Sequence, residues 1–195
     1  MAKSSEASKG AVRIIGGAWR KSVLRFPQIE GLRPTPDRVR ETLFNWLGQD
    51  LTGSDCLDLF AGSGALGFEA ASRGATRVVA VERDAEAVRA LRANAARLSA
   101  TSIEVVNREA MAYLSGCAEL FDVVFVDPPF RQNVLPDVLE RLPRVLKQQA
   151  RVYLEAPVPH EVEGRWRELK RSRAGQVSYQ LLEWSDDRSG LPGDV

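Results

Sequence analysis

Three short stretches of the sequence carry residues that could bind a nucleoside and orient an amine. They are Asp58-Leu-Phe-Ala-Gly-Ser-Gly64, the single acid Glu82, and Asp127-Pro-Pro-Phe130. The glycines of the first stretch would let a ligand approach the backbone closely. A carboxylate such as Glu82 can accept two hydroxyl donors of a ribose. The Asp127 carboxylate and the Pro128 carbonyl could each accept one N–H of an amine.

Two of these stretches follow apolar runs that are typical of buried strands. Cys56-Leu-Asp-Leu-Phe60 runs into the glycines, and Phe121-Asp-Val-Val-Phe-Val126 ends at Asp127. The two prolines after Asp127 cannot prolong a strand, because proline has no N–H for the ladder. Both motifs are therefore expected at the carboxyl ends of strands, where open α/β sheets bind their ligands.

The rest of the sequence predicts alternating strands and helices. The strands are expected at 55–60, 77–82, 102–106, 121–126 and 151–155, and the helices at 65–73, 85–98, 110–115 and 134–147. Alternation of this kind predicts a parallel sheet with helices on both faces. Residues 165–170 and 176–184 differ, because a short turn at Gly175 joins two strand-like segments. They predict a terminal antiparallel hairpin.

A small N-terminal unit is expected before this alternation. Residues 12–15 and 22–26 predict a hairpin, and a helix follows with Thr35 as its cap, Pro36 in its first turn and Gly48 at its end. Its apolar stripe is formed by Val39, Leu43, Trp46 and Leu47. The predicted division is a disordered segment 1–10, an extension 11–50, a main domain 51–185 and a disordered tail 186–195.

Positive charge is concentrated at the N-terminal side. The net charge is +1, yet residues 1–50 hold nine Lys or Arg against five acids. A polyanionic partner and a solvated basic face both explain this excess. Arg33, Arg38 and Arg40 could form a phosphate platform, or the latter two could pair with neighbouring acids. Trp19 and Arg20 could contact RNA bases and phosphates, while Trp19 could equally cover the small N-terminal core.

The sequence contains neither a long uncharged apolar run nor a signal-peptide pattern at Met1–Gly10, so a cytoplasmic protein is expected. His160 is the only histidine and lies in a predicted loop beside Pro157 and Pro159, so a surface role is expected and no metal site is predicted.

Gly62-Ser-Gly-Ala-Leu-Gly67 also fits the GxGxxG pattern of dinucleotide-binding proteins. In that interpretation a pyrophosphate lies at the helix N-terminus and Glu82 binds the ribose. It leaves Asp58 and the Asp127 motif unexplained. A nucleoside that carries an amino acid explains both, because its ammonium group needs an acceptor that Asp58 could supply directly or through water.

On these residues the sequence resembles the S-adenosylmethionine-dependent class I methyltransferases that modify exocyclic or amide nitrogens. It more closely resembles the bacterial 16S ribosomal RNA guanine-N2 methyltransferase family, over about residues 12–184. The further supporting segments are Arg13-Ile-Ile-Gly-Gly-Ala-Trp-Arg20, Arg33-Pro-Thr-Pro-Asp-Arg-Val-Arg-Glu-Thr-Leu-Phe-Asn-Trp-Leu47, Gly62-Ser-Gly-Ala-Leu-Gly-Phe-Glu69, Ser72-Arg-Gly-Ala75 and Gly175-Gln-Val-Ser-Tyr179. The family pattern has glycine at the position of Lys21, and Asp or Asn at that of Glu109.

The resemblance implies an α/β class I (Rossmann-like) methyltransferase fold with a seven-stranded mixed sheet, a terminal antiparallel hairpin and a small N-terminal extension. It implies methyl transfer from S-adenosylmethionine to guanine N2 in 16S ribosomal RNA, with the RNA or the assembling small subunit as partner, and a monomer without a metal. Implied catalytic residues are Asp127, Pro128, Pro129 and Phe130. Implied cofactor residues are Asp58, Phe60, Gly62, Gly64, Glu82, Arg83, Glu109, Ala110 and Asp127. The RNA-binding residues are expected to be Trp19, Arg20, Lys21, Arg33, Arg38 and Arg40.

Two alternatives remain open at this point. A DNA adenine-N6 methyltransferase could use the same Asp127 motif, although the short chain has no sizeable target-recognition domain. A non-catalytic RNA-binding module could retain the fold, although the acids and glycines of the site are intact.

Overall fold

A computed structural model describes residues 9–29, 32, 34–129 and 134–185. The strands are β1 (Lys9–Arg13), β2 (Val23–Pro27), β3 (Asp55–Asp58), β4 (Arg77–Glu82), β5 (Ile103–Asn107), β6 (Phe121–Val126), β7 (Leu146–Ala156), β8 (Trp166–Ala174) and β9 (Val177–Trp184). The helices are α1 (Asp37–Leu47), α2 (Ala65–Ser72), α3 (Ala85–Leu98), α4 (Ala110–Gly116) and α5 (Leu135–Arg141), followed by a 3-10 turn at Leu142–Val145.

The main sheet has seven strands in the order β5-β4-β3-β6-β7-β9-β8. The first five are parallel, and β9 and β8 join antiparallel beyond β7. This confirms the predicted mixed sheet and terminal hairpin. From β3 the chain moves outward to β4 and β5 and then crosses back to β6. The carboxyl ends of β3 and β6 therefore mark the topological switch point, where such sheets bind ligands.

Side chains of each central strand alternate between two apolar layers. On β4, Val79 and Val81 pack into the layer that contains helices α4 and α5. Val78 packs on the opposite face with α1 and α2, and Ala80 packs there beside β1, β2 and α3. Helices cover both faces, as the sequence predicts, so the interior strands are nearly continuous runs of apolar residues.

The N-terminal hairpin of β1 and β2 forms a separate two-stranded sheet that packs on α2 and α3. Its strand β1 already includes Lys9 and Gly10, which corrects the expected start at residue 11. Residues 1–8 and the tail 186–195 lie outside the described residues, and the domain boundary at residue 50 stays a prediction.

Lys21, at the position where the sequence resemblance implies glycine, lies in the turn of this hairpin. Lys21 has a φ of 72°, in the left-handed region that costs energy for any residue with a Cβ. Its N–H donates to the Ile14 carbonyl over 2.8 Å, which closes the turn. The backbone therefore keeps the geometry that a glycine would adopt freely.

Two predicted helix boundaries are wrong. The helix predicted at 134–147 ends at Arg141, because Pro143 lacks the N–H for the next helical bond, and β7 begins at Leu146. Thr35 does not cap α1, since the N-cap is Pro36, which makes no side-chain hydrogen bond to this end of the helix. Gly48 does end α1 as predicted, with a φ of 102°.

Candidate functional site

A tight glycine turn joins β3 to α2. Gly64 is the N-cap of α2 with a φ of 80°, and a Cβ there would lie 2.6 Å from the Leu91 Cδ2 atom. Only glycine fits both the conformation and the space. Gly62 precedes it, also at positive φ, and its N–H points toward β4. The turn therefore brings bare backbone to the edge of the sheet.

Glu82 ends β4 beside this turn and is held by two backbone donors. Its Oε2 accepts from the Gly62 N–H over 2.9 Å, and its Oε1 accepts from the Asp84 N–H over 2.8 Å. Asp84 in turn caps α3. These bonds fix the direction of a half-buried carboxylate at the carboxyl edge of the sheet. Arg83 follows it and is exposed.

Asp58 ends β3 beneath the turn and is nearly fully buried. Its Oδ2 accepts from the Gly67 N–H over 2.9 Å. Burial raises the pKa of Asp58 to about 7, the Gly67 bond opposes this, and the charge of Glu82 adds to it. A buried acid with a raised pKa at a ligand-binding edge is typical of a functional site. Phe60 is partly buried and packs against the core beyond Asp58.

Asp127 follows β6, the strand that pairs with β3, and is partly buried. Burial, the nearby charges of Glu155 and Asp58, and a long hydrogen bond from Thr35 act on it. The first three raise the pKa of Asp127 well above its usual value, and the Thr35 bond, with an Oγ1–Oδ2 distance of 3.5 Å, opposes them. Asp127 is thus a carboxyl group surrounded by other acids.

Two prolines and a phenylalanine follow Asp127 in this motif. Pro128 is buried and Pro129 is exposed. Phe130 lies outside the described residues, so its predicted stacking role stays a prediction.

Three further residues belong to this site and were not predicted from the sequence: Thr35, Tyr153 and Glu155. Glu155 lies near the end of β7, where it is 6% exposed, and its Oε1 accepts from the Tyr153 hydroxyl over 2.6 Å. An acid inside an apolar strand run, two residues after a tyrosine, is the signal that could have revealed it. The sequence around Thr35 does not reveal its contact with Asp127, because that contact depends on how α1 packs against the sheet.

Glu109 and Ala110 lie at the start of α4, beyond the carboxyl end of β5. The Glu109 carboxylate accepts from the Ala112 N–H over 2.9 Å and caps the helix, while Ala110 is buried. This supports the view of Glu109 as a helix-start acid, and its contact with adenine stays a prediction.

The predicted RNA-binding residues separate into exposed and structural groups. Arg20, Lys21 and Arg38 are exposed. Trp19 is partly buried and packs against the core, in line with a covering role. Arg33 lies outside the described residues.

The prediction that Arg40 binds RNA is wrong, because Arg40 is fully buried and cannot contact phosphate. Its guanidinium donates to the carbonyls of Arg13 and Thr35 and forms ion pairs with Asp37 and Glu69. The bonds join the hairpin, the start of α1 and α2.

Glu69, the buried partner of Arg40, also accepts from the N–H groups of Ile15 and Gly16 and from Arg73. Arg40 and Glu69 therefore anchor the N-terminal hairpin to the main domain.

Two negative findings concern the described residues only. No helix among them is long and apolar enough to cross a membrane. They contain no group of three or more His, Cys, Asp or Glu side chains arranged for a metal. His160 lies in the loop after β7, where its backbone N–H and carbonyl bond to the Gln180 side chain.

The residues at this edge fit a nucleoside that carries an amino-acid group. The glycine turn leaves room beside Gly62, where an added Cβ would have Leu32 as its nearest side chain, at 3.7 Å. An oriented carboxylate lies on one side of the turn at Glu82, and the buried acid Asp58 lies beneath it. Hydroxyl and ammonium donors thus both find acceptors.

The strand order, the terminal antiparallel hairpin and the acids at the switch point define a class I methyltransferase fold. The yhhF protein of Escherichia coli has this fold in its solved structure, with a TM-score of 0.82, 43% identity, and coverage of 91% of this chain and 100% of that one. The family described as Conserved hypothetical protein 95 matches residues 12–183.

Two relatives carry the same name. Ribosomal RNA small subunit methyltransferase D of Escherichia coli K12 is 43% identical over 188 residues, covering 94% of this chain and 95% of the relative. The protein of that name from Haemophilus influenzae is 43% identical over 184 residues, covering 90% and 95%. The chain belongs to the ribosomal RNA small subunit methyltransferase D family of S-adenosylmethionine-dependent methyltransferases.

Proposed function

We propose that this protein transfers a methyl group from S-adenosylmethionine to the exocyclic N2 of a guanine in 16S ribosomal RNA. The observation that carries the proposal is the position of Asp127, which follows β6 beside the glycine turn and the acids of the switch point. Family membership supports ribosomal RNA as the substrate, since the two relatives named above are ribosomal RNA small subunit methyltransferases.

The cofactor is held by residues of three strand ends in this proposal. Glu82 accepts the ribose hydroxyls, Asp58 accepts the ammonium group directly or through water, and Gly62 and Gly64 leave space for the sugar and amino-acid portions. Glu109 and Ala110 contact the adenine, and Phe60 and Arg83 border the pocket. When bound, the cofactor supplies an electrophilic methyl group on a positively charged sulfur.

Asp127 and Pro128 orient the amine. Guanine N2 is a poor nucleophile, because its lone pair is delocalised into the ring. The Asp127 carboxylate and the Pro128 carbonyl each accept one N–H, which directs the nitrogen lone pair at the methyl carbon and stabilises the positive charge that develops on nitrogen. The prolines add no competing N–H donors, and Phe130 offers a face on which the unstacked base can rest.

Burial strengthens this arrangement. The acids at the site lie in low-dielectric surroundings, where a charge interaction is worth more than in water. Holding the two reacting atoms about 3 Å apart in a dry pocket supplies much of the acceleration that such a reaction needs.

The exposed cations of the N-terminal side bind the RNA backbone in this proposal. Arg20, Lys21 and Arg38 remain available for phosphates, and Arg33 is a further candidate from the sequence. The substrate is either the RNA itself or the assembling small subunit. The protein acts in the cytoplasm as a monomer.

The test is to find which nucleoside is methylated. The protein is incubated with radiolabelled S-adenosylmethionine and, in separate reactions, total RNA, DNA and small subunits from a bacterial strain that lacks this enzyme. We expect label only in 16S RNA, recovered after digestion as N2-methylguanosine. Label in DNA as N6-methyladenine would show that the substrate is DNA and that the protein is an adenine-N6 methyltransferase. Specific cofactor binding without transfer to any substrate would favour the non-catalytic module.

A further inference from the structure

A second carboxylate, Glu155, lies beside Asp127 because of the strand register. Strands β6 and β7 are parallel neighbours, and Val126 is paired with Leu154. Asp127 follows Val126 and Glu155 follows Leu154, so the two acids lie side by side at this edge of the sheet. Glu155 is 6% exposed and is also paired with Tyr179 of β9 on its other side. It is therefore a buried acid at the reacting end of the sheet.

Tyr153 fixes the direction of Glu155. The two residues are two positions apart on β7 and so lie on one face of the sheet. The Tyr153 hydroxyl donates to the Glu155 carboxylate over 2.6 Å, and its ring, which is fully buried, packs against Tyr179 at a centroid distance of 6.3 Å. A short bond from a buried hydroxyl is a strong anchor for a carboxylate. Two apolar side chains would fill the same buried positions, so packing does not explain why a hydroxyl and a carboxylate lie there.

The groups that face Asp127 are acids and a hydroxyl. Glu155 faces it from β7, Asp58 from β3, and the Thr35 hydroxyl from the segment before α1. Two tyrosines lie next to Glu155: Tyr153, whose hydroxyl donates to it, and Tyr179, its pairing partner on β9. Among the described residues, no Lys or Arg acts on either carboxylate strongly enough to offset this.

Adjacent carboxylates cannot both ionise without a cost, so each opposes the loss of the other's proton. Burial and the charge of Glu155 raise the pKa of Asp127, and burial also raises the pKa of Glu155, against the lowering effect of the Tyr153 bond. Tyr153 thus favours the charge on Glu155, and that charge makes Asp127 the better proton acceptor.

We propose that Glu155, held by Tyr153, is a positioning residue that acts through Asp127 and keeps it basic enough to take the proton that the amine loses. This rests on the proposed amine methylation. The nitrogen forms a bond to the methyl carbon, and the electrons of the broken carbon–sulfur bond stay on sulfur. One N–H bond breaks, its electrons return to nitrogen, and the proton passes to the Asp127 carboxylate. A stronger base at this point accelerates the transfer.

The first test is read on the protein alone and needs no activity. The carboxyl carbons of aspartate are labelled with 13C, the Asp127 signal is assigned by its loss in Asp127→Asn, and its chemical shift is followed against pH. Glu155→Gln keeps the shape and the acceptor for Tyr153 but removes the charge. We expect it to lower the Asp127 midpoint by at least about one pH unit. An unchanged midpoint overturns the proposal.

Two further variants test whether a shift of the Asp127 midpoint is specific to the charge on Glu155. Glu183→Gln is the matched control, since Glu183 is an acid on the neighbouring strand β9 that pairs with Arg167, and it should leave the midpoint in place. Tyr153→Phe should lower the midpoint in the same direction as Glu155→Gln, because Glu155 without its donor stays protonated to higher pH. A higher midpoint in Tyr153→Phe would contradict the assigned roles.

The second test is the pH profile of single-turnover methyl transfer at saturating cofactor and RNA. Wild-type activity should rise with pH as Asp127 loses its proton. In Glu155→Gln the rise should move to lower pH and the plateau should fall, because Asp127 is the weaker base. A lower melting temperature with an unmoved profile would mean that Glu155 only supports the fold. If the wild type methylates no substrate, the proposed function fails, while the titration still decides whether the two carboxylates are coupled.

Discussion

Arg40 and Glu69 form an ion pair with an N–O distance of 3.2 Å, and neither side chain has any exposed surface. The pair joins α1 to α2, and further bonds from both residues reach the N-terminal hairpin. The extension that carries the exposed cations is thus fixed to the catalytic domain through buried charges.

Arg40→Met should therefore destabilise the protein strongly. Removing one partner leaves a buried charge without full compensation, which costs about 3 to 5 kcal/mol of unfolding free energy. Arg38→Met changes an exposed residue of the same helix and should cost no more than about 0.5 kcal/mol. Urea denaturation measures both. If the two variants are equally stable and Arg40→Met loses RNA affinity, Arg40 binds phosphate and its structural assignment is wrong.

Asp58 should make stability depend on pH. Its pKa is raised from 3.8 to about 7 in the folded protein, so between these values the folded state retains a proton that the unfolded chain releases. The free energy of unfolding should then fall as pH rises from about 4 to 7, by at most on the order of 4 kcal/mol from this residue. Asp58→Asn keeps an acceptor for the Gly67 N–H and should remove this contribution. Denaturation curves at several pH values compare the two proteins, and parallel pH dependences would contradict the assignment.

The sequence predicts the central part of the fold well, because local signals there agree with one another. Apolar runs, glycines and prolines locate β3, β4, β6 and α3 within two residues of their observed ends. The acids at Asp58 and Asp127 could be assigned to one sheet edge, since both follow buried strands. Pro143 shows a limit of periodicity, because the apolar pattern continues past the point where the helix must end.

What the sequence could not predict depends on tertiary neighbours. Two of the partners of Arg40, Arg13 and Glu69, are distant in the chain, so an arginine near a helix start looks the same whether it is buried or exposed. The contact of Glu155 with the site follows from β7 lying next to β6, and neither strand's own pattern reveals that order.

Glu82 should contribute mainly to cofactor affinity. Glu82→Ala removes the proposed ribose acceptor and should weaken S-adenosylmethionine binding by about 1.5 to 3 kcal/mol, as for other hydrogen bonds to a charged group. Glu86→Ala is the control, because Glu86 is an exposed acid four residues further along the chain, in the first turn of α3. Calorimetric titration of each variant gives the affinity. Strong binding of NAD by the wild type, with none of S-adenosylmethionine, would instead support the dinucleotide interpretation.

The exposed N-terminal cations should govern the salt dependence of RNA binding. Replacing Arg20, Lys21 and Arg38 with alanine removes phosphate contacts, so affinity should fall and the slope against log salt should flatten by up to about one unit per lost contact. Cofactor affinity should not change. A matched triple variant replaces three exposed cations elsewhere, Arg89, Lys170 and Arg173. If only this second variant flattens the slope, the RNA lies against α3 and the terminal hairpin.

Asp127 provides the most direct test of the account, because it is assigned to the amine and not to the cofactor's nucleoside. The measurement is single-turnover methyl transfer to unmethylated small subunits by Asp127→Ala, with cofactor affinity measured by calorimetry on the same preparation. Loss of one orienting and charge-stabilising contact should slow transfer by roughly 10² to 10³, with nearly wild-type cofactor affinity. Asp127→Asn should lose less than Asp127→Ala if accepting a hydrogen bond from the amine matters more than charge, and should lose as much if Asp127 must take the amine proton. Wild-type transfer by Asp127→Ala would contradict the assignment of this carboxylate to the reacting amine.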